Sequence, residues 1–178
     1  MALELREADG RRRIQRTVTL LRTPAECYAL WRDFALLPSF MHALESVTVG
    51  PSGRRSHWVA KATAGDVLEW DAEVIEDIPD EFISWRSLPG PGGALAGEVA
   101  FHEAPAGGGT EMTAVRTYDP PAGEAGTVIA RLFGADPAQQ LDEDVRRFKA
   151  LMETGRTPTT EGQSHGRNRP SVAKRGAA

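Results

Sequence analysis

Residues 67–75 read VLEWDAEVI, and this stretch decides the fold class. Apolar and acidic side chains alternate along it, with Leu68, Trp70, Ala72 and Val74 on one side and Glu69, Asp71 and Glu73 on the other. Alternation with a period of two is typical of a β-strand that has one buried and one solvated face. Such strands belong to antiparallel sheets, because the strands of parallel sheets are buried on both faces.

Six other segments have a strand pattern, and turn residues separate several of them. The segments are 14–21, 44–49, 54–62, 82–87, 95–103 and 110–118. The Gly-Pro-Ser-Gly sequence at 50–53 and the three glycines at 107–109 are typical of hairpin turns. The sequence therefore predicts seven strands in one antiparallel sheet.

Two short helices are predicted after the first strand. Thr23 and Pro24 are residue types that favour the N-cap and the first helical position, so a helix is expected over 25–32. Asp33 is able to cap a second short helix that runs through Phe40, whose regularity is limited by the proline inside it.

A long helix is predicted from about 126 to 153. Its apolar stripe carries Leu141, Val145, Phe148 and Met152, and its opposite face carries Asp142, Glu143, Arg146, Arg147 and Lys149. We expect the charged face to be solvated, with i,i+4 ion pairs such as Asp142–Arg146. The Asp136-Pro137 pair predicts either a kink or a new helix start, and Gly155 is a suitable C-terminal stop.

This order of elements predicts an α+β domain with an internal space. The apolar face of a seven-stranded antiparallel meander must be covered, and only the final helix is long enough to cover it. A curved sheet wrapped around one long C-terminal helix leaves a gap in which a ligand fits. The domain is expected over 13–155, between a polar arm at 1–12 and a disordered basic tail at 156–178.

Composition excludes several classes of function. The formal net charge of −4 argues against nucleic-acid binding by bulk charge, and no run of about 18 apolar residues is present to span a membrane. Cys27 is the only cysteine, which predicts a buried thiol and fits a cytoplasmic location. The four histidines lack metal-site spacing, and neither glycine-rich run ends in Gly-Lys-Ser/Thr, so we predict no metal and no cofactor.

Aromatic residues are concentrated around the predicted space. The candidate ligand-binding residues are Phe34, Phe40, Met41, Trp58, Trp70, Trp85, Met112 and Phe148. They either form an ordinary core or wall an aromatic pocket, and the two roles are compatible.

Three polar side chains are candidates for catalysis, namely Arg116, Tyr118 and His57. Arg116 and Tyr118 share one face of segment 110–118, and if that face is inward they are able to orient a carbonyl or an enolate. The alternative register turns Thr113, Val115 and Thr117 inward, and the sequence does not choose between the two. A structural ion pair is the other expectation for Arg116.

Four stretches resemble the START-like, helix-grip SRPBCC superfamily, and within it the bacterial polyketide cyclase/dehydrase branch. They are LWRDFALLPSFMHALESV (30–47), EWDAEVIEDIPDEFISWRS (69–87), GEVAFHEAP (97–105) and LFGADPAQQLDEDVRRFKALMETGRTPTTEGQ (132–163). The resemblance covers about residues 12–163 and implies the helix-grip fold. In the aromatase/cyclases of this superfamily an interior arginine with hydroxyl groups positions a poly-β-ketone, but no motif of this chain carries those residues over one by one.

Three functions are compatible with these observations. The first is binding of an apolar small molecule, such as a lipid, polyketide or isoprenoid, in the internal pocket. The alternative is a polyketide cyclase/dehydrase-type enzyme, in which the pocket folds the substrate and a polar residue aids enolisation and loss of water. A second alternative is a stress-related or regulatory module that binds a partner through a sheet edge or the basic tail. A homodimer is also compatible with the sequence.

Overall fold

A computed structural model describes residues 3–6, 10–61, 65–90, 94–119 and 136–156 of the chain. Its elements are, in chain order, β1 (Leu3–Arg6), β2 (Arg12–Leu20), α1 (Pro24–Arg32), a 3₁₀ helix (Phe34–Ser39), β3 (Leu44–Val49), β4 (Arg55–Lys61), β5 (Val67–Ile78), β6 (Phe82–Ser87), β7 (Leu95–Glu103), a 3₁₀ turn (Pro105–Gly107), β8 (Thr110–Tyr118) and α2 (Pro137–Thr154). None of these helices is both long and apolar enough to cross a membrane. The tail predicted over 156–178 lies, apart from Arg156, outside the described residues.

The strands form one antiparallel sheet in the order β1-β2-β8-β7-β6-β5-β4-β3. The α+β class, with a curved antiparallel sheet and a long C-terminal helix, is confirmed. The seven predicted strands are β2 to β8, and the sheet has one further edge strand, β1, within the segment that was expected to be a polar arm. Four residues show too little alternation to stand out from a polar segment, and β1 exists through its pairing with residues 12–15 of β2.

Capping residues define the start of α1. The Oγ atom of Thr23 accepts the backbone N–H of Glu26 at 3.3 Å, and the Glu26 carboxylate accepts the backbone N–H of Thr23 at 2.9 Å. This reciprocal capping box, followed by Pro24, confirms the predicted helix start.

Asp136 and Gly155 set the ends of α2. The Asp136 carboxylate accepts the backbone N–H groups of Ala138 and Gln139 at 3.1 and 3.0 Å. Gly155 has a φ of 71°, the left-handed conformation that glycine adopts without strain at a helix C-terminus. Of the two expectations for Asp136-Pro137, the new helix start is confirmed, and the predicted helical residues 126–135 lie outside the described part of the chain.

The apolar stripe of α2 packs into a core that it shares with α1 and the 3₁₀ helix. Leu141, Val145 and Phe148 are buried. The Phe148 ring packs at a steep angle against Trp31 and Phe40, with ring centroids 4.9 and 5.0 Å apart. Such contacts stabilise the packing of α1 and the 3₁₀ helix against α2.

The charged face of α2 is less solvated than we expected. Asp142 and Asp144 are both buried. Asp142 forms the predicted ion pair with Arg146, and it also contacts Arg16 of β2. The helix therefore packs against the sheet with part of its charged face as well, which helical spacing alone does not reveal.

A β-bulge at Ile75 carries β5 beyond its predicted end. The pairing of β5 with β6 shifts by one residue between Val74 and Glu76. The extra residue turns Asp77 towards the side of the sheet on which α1 lies, where its carboxylate accepts the Nε–H of Arg32 at 2.7 Å. The bulge thus helps to hold α1 at one end of the sheet.

Candidate ligand-binding site

A cavity lies between the sheet and α2. Side chains from five adjacent strands, β4 to β8, form one wall, and α1, α2 and residues 41–44 form the other. The cavity is partly open to solvent and has a volume of about 70 Å³. Most protein interiors are close-packed and contain few voids larger than a water molecule. A cavity of this size therefore shows that side chains leave part of this interior unfilled.

Three tryptophans from neighbouring strands dominate the sheet wall. Trp58 and Trp70 are direct cross-strand partners, and their rings stack with centroids 5.8 Å apart. Trp85 also stacks against Trp58, with ring centroids 6.3 Å apart. Gly97 makes room for this arrangement, because a Cβ atom at position 97 would lie within 2.9 Å of three atoms of the Trp85 ring. The result is a continuous aromatic surface.

The eight candidate ligand-binding residues divide into two groups. The cavity is lined by Met41, Trp58, Trp70 and Trp85, whereas the buried core away from its wall contains Phe34, Phe40, Met112 and Phe148. Phe34 shows the distinction, because its ring packs edge-on against Trp58 and Trp85 at 5.7 and 5.4 Å and supports the rings that face the cavity. Aromatic content alone does not separate a lining ring from a supporting one.

Sequence reasoning missed several lining residues, namely Trp31, Leu95, Gly97, Val99, Ala114, Leu141 and Asp144. Two of them carry a signal in the sequence. Leu141 belongs to the predicted apolar stripe of the long helix, and Gly97 is a glycine inside a strand, which often marks a close approach. Asp144 has no such signal in the sequence, because it is one of several charged residues in the stretch 142–149.

The inward face of β8 is the one that contains Met112, Ala114 and Arg116. Met112 and Ala114 are fully buried, whereas Thr113 is half-buried and its Oγ1 lies 2.9 Å from Oγ1 of Thr17 on the outer face. The side chain of Arg116 is 13% exposed and lines the cavity. The structure therefore decides the register that the sequence left open.

Arg116 reaches from the sheet to the long helix. Its Nη2 donates to Oδ2 of Asp144 at 3.2 Å, and its Nη1 donates to Oε1 of Gln140 at 3.4 Å. This is the structural ion pair that was one of the two expectations for Arg116, and it lies in the wall of the cavity.

Asp144 joins three parts of the molecule. Its carboxylate accepts hydrogen bonds from Arg116, from Nη1 of Arg147 at 3.4 Å, and from the backbone N–H of His42. Burial raises the pKa of Asp144, while the two guanidinium groups act in the opposite direction. The apolar wall thus contains one buried carboxylate that is held by two cations.

The other two catalytic candidates do not line the cavity. His57 is 46% exposed on the outer face of the sheet, where its Nδ1 lies 2.8 Å from Asp71 and its Nε2 lies 3.5 Å from Glu69. The hydrogen bond with Asp71 raises the pKa of His57. Tyr118 is buried in the core at the end of β8. Only Arg116, of the three candidates, is placed to touch a molecule in the cavity.

Residues 22–146 match the model of the family described as polyketide cyclase/dehydrase and lipid transport. The chain belongs to this family. The matched residues include α1, the strands of the tryptophan wall, and Arg116 with Asp144. All of the residues that line the cavity lie within the family match, and the fold is one that binds hydrophobic ligands.

Two relatives share more than a third of their aligned residues with this family member. An uncharacterized 17.2 kDa protein in the melC2-rnhH intergenic region of Streptomyces lincolnensis is 36% identical over 75 residues, which cover 42% of this chain and 48% of that protein. The match therefore spans about half the length of that curated relative. The crystal structure of DR_A0006 from Deinococcus radiodurans is 38% identical, with a TM-score of 0.64, and the alignment covers 79% of this chain and 96% of that one.

Aromatase/cyclases share the fold of this family member at lower identity. The Zhui aromatase/cyclase from Streptomyces sp. R1128 has a TM-score of 0.61 at 15% identity, over 82% of this chain and 98% of that one. The di-domain ARO/CYC BexL from the BE-7585A biosynthetic pathway has a TM-score of 0.60 at 18% identity, over 80% of this chain and 50% of that one. These likenesses show a common fold.

Proposed function

We propose that this protein binds an apolar small molecule of the lipid, polyketide or isoprenoid type in the cavity between the sheet and α2. The observation that carries the proposal is the stacked wall of Trp58, Trp70 and Trp85 beside unfilled space. Large aromatic faces and a few polar groups are the usual lining of small-molecule sites. Membership of a family described by cyclase/dehydrase activity and lipid transport supports the same conclusion.

The size of the cavity limits the part of the ligand that it encloses. Its volume of about 70 Å³ is roughly half that of an apolar cavity of about 150 Å³ that binds benzene. We therefore expect the enclosed portion to be smaller than a whole ring, such as a ring edge or a short chain, with the rest of the ligand extending through the open side.

A matched pair of substitutions tests this proposal. Ala114 lines the cavity, whereas Ala100 lies on the outer face of the adjacent strand. Ala114→Leu should fill the cavity and abolish binding of 2-naphthol, detected by quenching of tryptophan fluorescence, while Ala100→Leu should bind like the wild type. Native mass spectrometry of protein from its own host should likewise show a copurifying ligand in the wild type and in Ala100→Leu, but not in Ala114→Leu. Equal binding by both variants, or no binding by the wild type, would overturn the proposal.

A cyclase/dehydrase-type reaction is the second candidate, because Arg116 and Asp144 face the same cavity. The Asp144 carboxylate would remove a proton from the carbon beside a ketone, and the Arg116 guanidinium would stabilise the resulting enolate. The enolate carbon would then attack a second carbonyl, and the aldol product would lose one molecule of water.

A compact diketone tests the second candidate. By this route one molecule of 2,6-heptanedione gives one molecule of 3-methylcyclohex-2-enone and one molecule of water. We expect wild type and Ala100→Leu to accelerate formation of the enone, which absorbs in the ultraviolet, and Ala114→Leu to leave the uncatalysed rate. A rate equal to the uncatalysed one in wild type would remove this candidate and leave the binding proposal standing.

A further inference from the structure

Trp31 of α1 carries a buried hydrogen-bond donor that has no acceptor. Trp31 is 1% exposed, and in the described part of the chain no group accepts a hydrogen bond from its Nε1–H. Its close ring neighbours are Phe40 and Phe148, which contain no acceptor atom. Leaving a buried N–H unsatisfied is unfavourable, and each case in a native protein calls for a physical explanation.

The contrast with Trp58 shows that the fold is able to satisfy such a group. Trp58 is also buried and also lines the cavity, and its Nε1 donates to Oγ of Ser56 at 2.8 Å. Two buried indoles therefore line the same cavity, but only one of them has its donor occupied by the protein. The free donor belongs to a ring that lines the cavity.

We propose that Trp31 Nε1–H donates a hydrogen bond to an oxygen atom of the ligand, so that the ligand is an oxygen-bearing compound rather than a pure hydrocarbon. This inference rests on the proposed function, because it concerns a molecule in the same cavity. It makes Trp31 a specificity-determining residue that distinguishes a carbonyl or ether oxygen from a methylene group of the same shape.

A neutral oxygen fits the electrostatics better than an anionic one. The guanidinium group that lines the cavity, Arg116, is already paired with Asp144 at 3.2 Å. An additional negative charge would share the cavity with the buried Asp144 carboxylate, and like charges in a site of low polarity repel strongly. The indole N–H is a neutral donor and needs no counter-charge.

Acetophenone and α-methylstyrene form a matched pair of probes, because they have the same shape and differ by an oxygen in place of a CH₂ group. The measured quantity is the ratio of their dissociation constants, first in the wild type and then in Trp31→Phe. A neutral hydrogen bond contributes enough to change this ratio by about two- to tenfold, with acetophenone relatively favoured in the wild type. Trp58→Phe is the control. Because Trp58 Nε1 already donates to Ser56 in the wild type, this variant should weaken the binding of both probes alike and leave the ratio unchanged.

Nuclear magnetic resonance gives a direct readout of the same contact. The chain has four tryptophans, so its ¹⁵N-labelled form should give four indole N–H signals. The signal that is missing in Trp31→Phe should move downfield with acetophenone and not with α-methylstyrene. If Trp31→Phe does not fold, the signal is assigned instead through phenylalanine variants of the other three tryptophans, and its shift in the wild type decides.

The outcomes separate the two proposals. Binding of both probes to the wild type, with an unchanged ratio in Trp31→Phe and no indole shift, would overturn the role of Trp31 and leave the binding function intact. Failure of the wild type to bind either probe would overturn both proposals. A changed ratio together with the indole shift supports the oxygen-bearing ligand.

Discussion

Arg116 and Asp144 illustrate at the residue scale how a charged pair is tolerated in an apolar wall. Asp144 is 2% exposed and accepts hydrogen bonds from Arg116, from Arg147 and from the backbone of His42. Buried charges are stable only when they are paired and hydrogen-bonded, and the three donors meet that requirement. The same pairing holds the guanidinium of Arg116 in one orientation against the cavity.

Removing Arg116 should lower the free energy of unfolding by an amount that depends on pH. Arg116→Met leaves Asp144 buried with fewer donors, and we expect a loss of about 3 kcal/mol in the free energy of unfolding at pH 8. Burial already raises the pKa of Asp144, and loss of the Arg116 cation should raise it further. A carboxyl group whose pKa is higher in the folded than in the unfolded state loses stability as the pH rises through that interval, so the loss should be smaller at pH 5.

Urea unfolding of the wild type and the variant at pH 5 and pH 8 checks this expectation. Arg86→Met is the control, because Arg86 pairs with Glu73 on the outer face and is 62% exposed. Exposed ion pairs contribute at most about 1 kcal/mol, so the control should lose little at either pH. An equal loss for Arg116→Met at both values would contradict the role given to Asp144.

At the element scale, the ends of the helices and the bulge in β5 position the walls of the cavity. Asp136 and Gly155 confine α2 to the length that crosses the sheet. The bulge at Ile75 turns Asp77 to Arg32, which holds α1 and with it the Trp31 ring. Residues that touch no ligand therefore decide where the lining side chains stand.

The N-cap of α2 should be a measurable part of the stability. Asp136→Ala removes both hydrogen bonds to the backbone N–H groups of Ala138 and Gln139, and should cost about 1 kcal/mol in the free energy of unfolding. Asp136→Ser keeps an acceptor oxygen and should lose much less. Urea titration of the two variants beside the wild type is the measurement, and equal losses would contradict the capping role.

At the scale of the whole molecule, the cavity exists because one helix does not fill a curved sheet of eight strands. Phe34, Phe40 and Phe148 fill the end near α1, where rings from three elements meet. Along the remaining strands the sheet contributes broad tryptophan faces, while residues such as Ala114 and Gly97 contribute little volume. The gap is thus a consequence of where large and small side chains fall along neighbouring strands.

Local patterns in the sequence were sufficient for most of the elements. The alternation in 67–75 predicted an antiparallel strand, and Thr23 and Gly155 predicted helix ends. These features depend on residues close in the chain, where the period of side-chain direction and the capping groups act directly. The short strand β1 was not predicted, because it forms through its pairing with β2.

Only the tertiary structure decided which side of β8 faces the cavity, which rings line it and which support it, and that Asp144 meets Arg116. The contact of His57 with Asp71 on the outer face is another feature that the strand pattern alone did not predict. The sequence by itself determined the order and type of the elements, because those follow from neighbours along the chain. The site depends on contacts between residues far apart in the chain, such as Arg116 and Asp144, and those exist only once the sheet has closed around the helix.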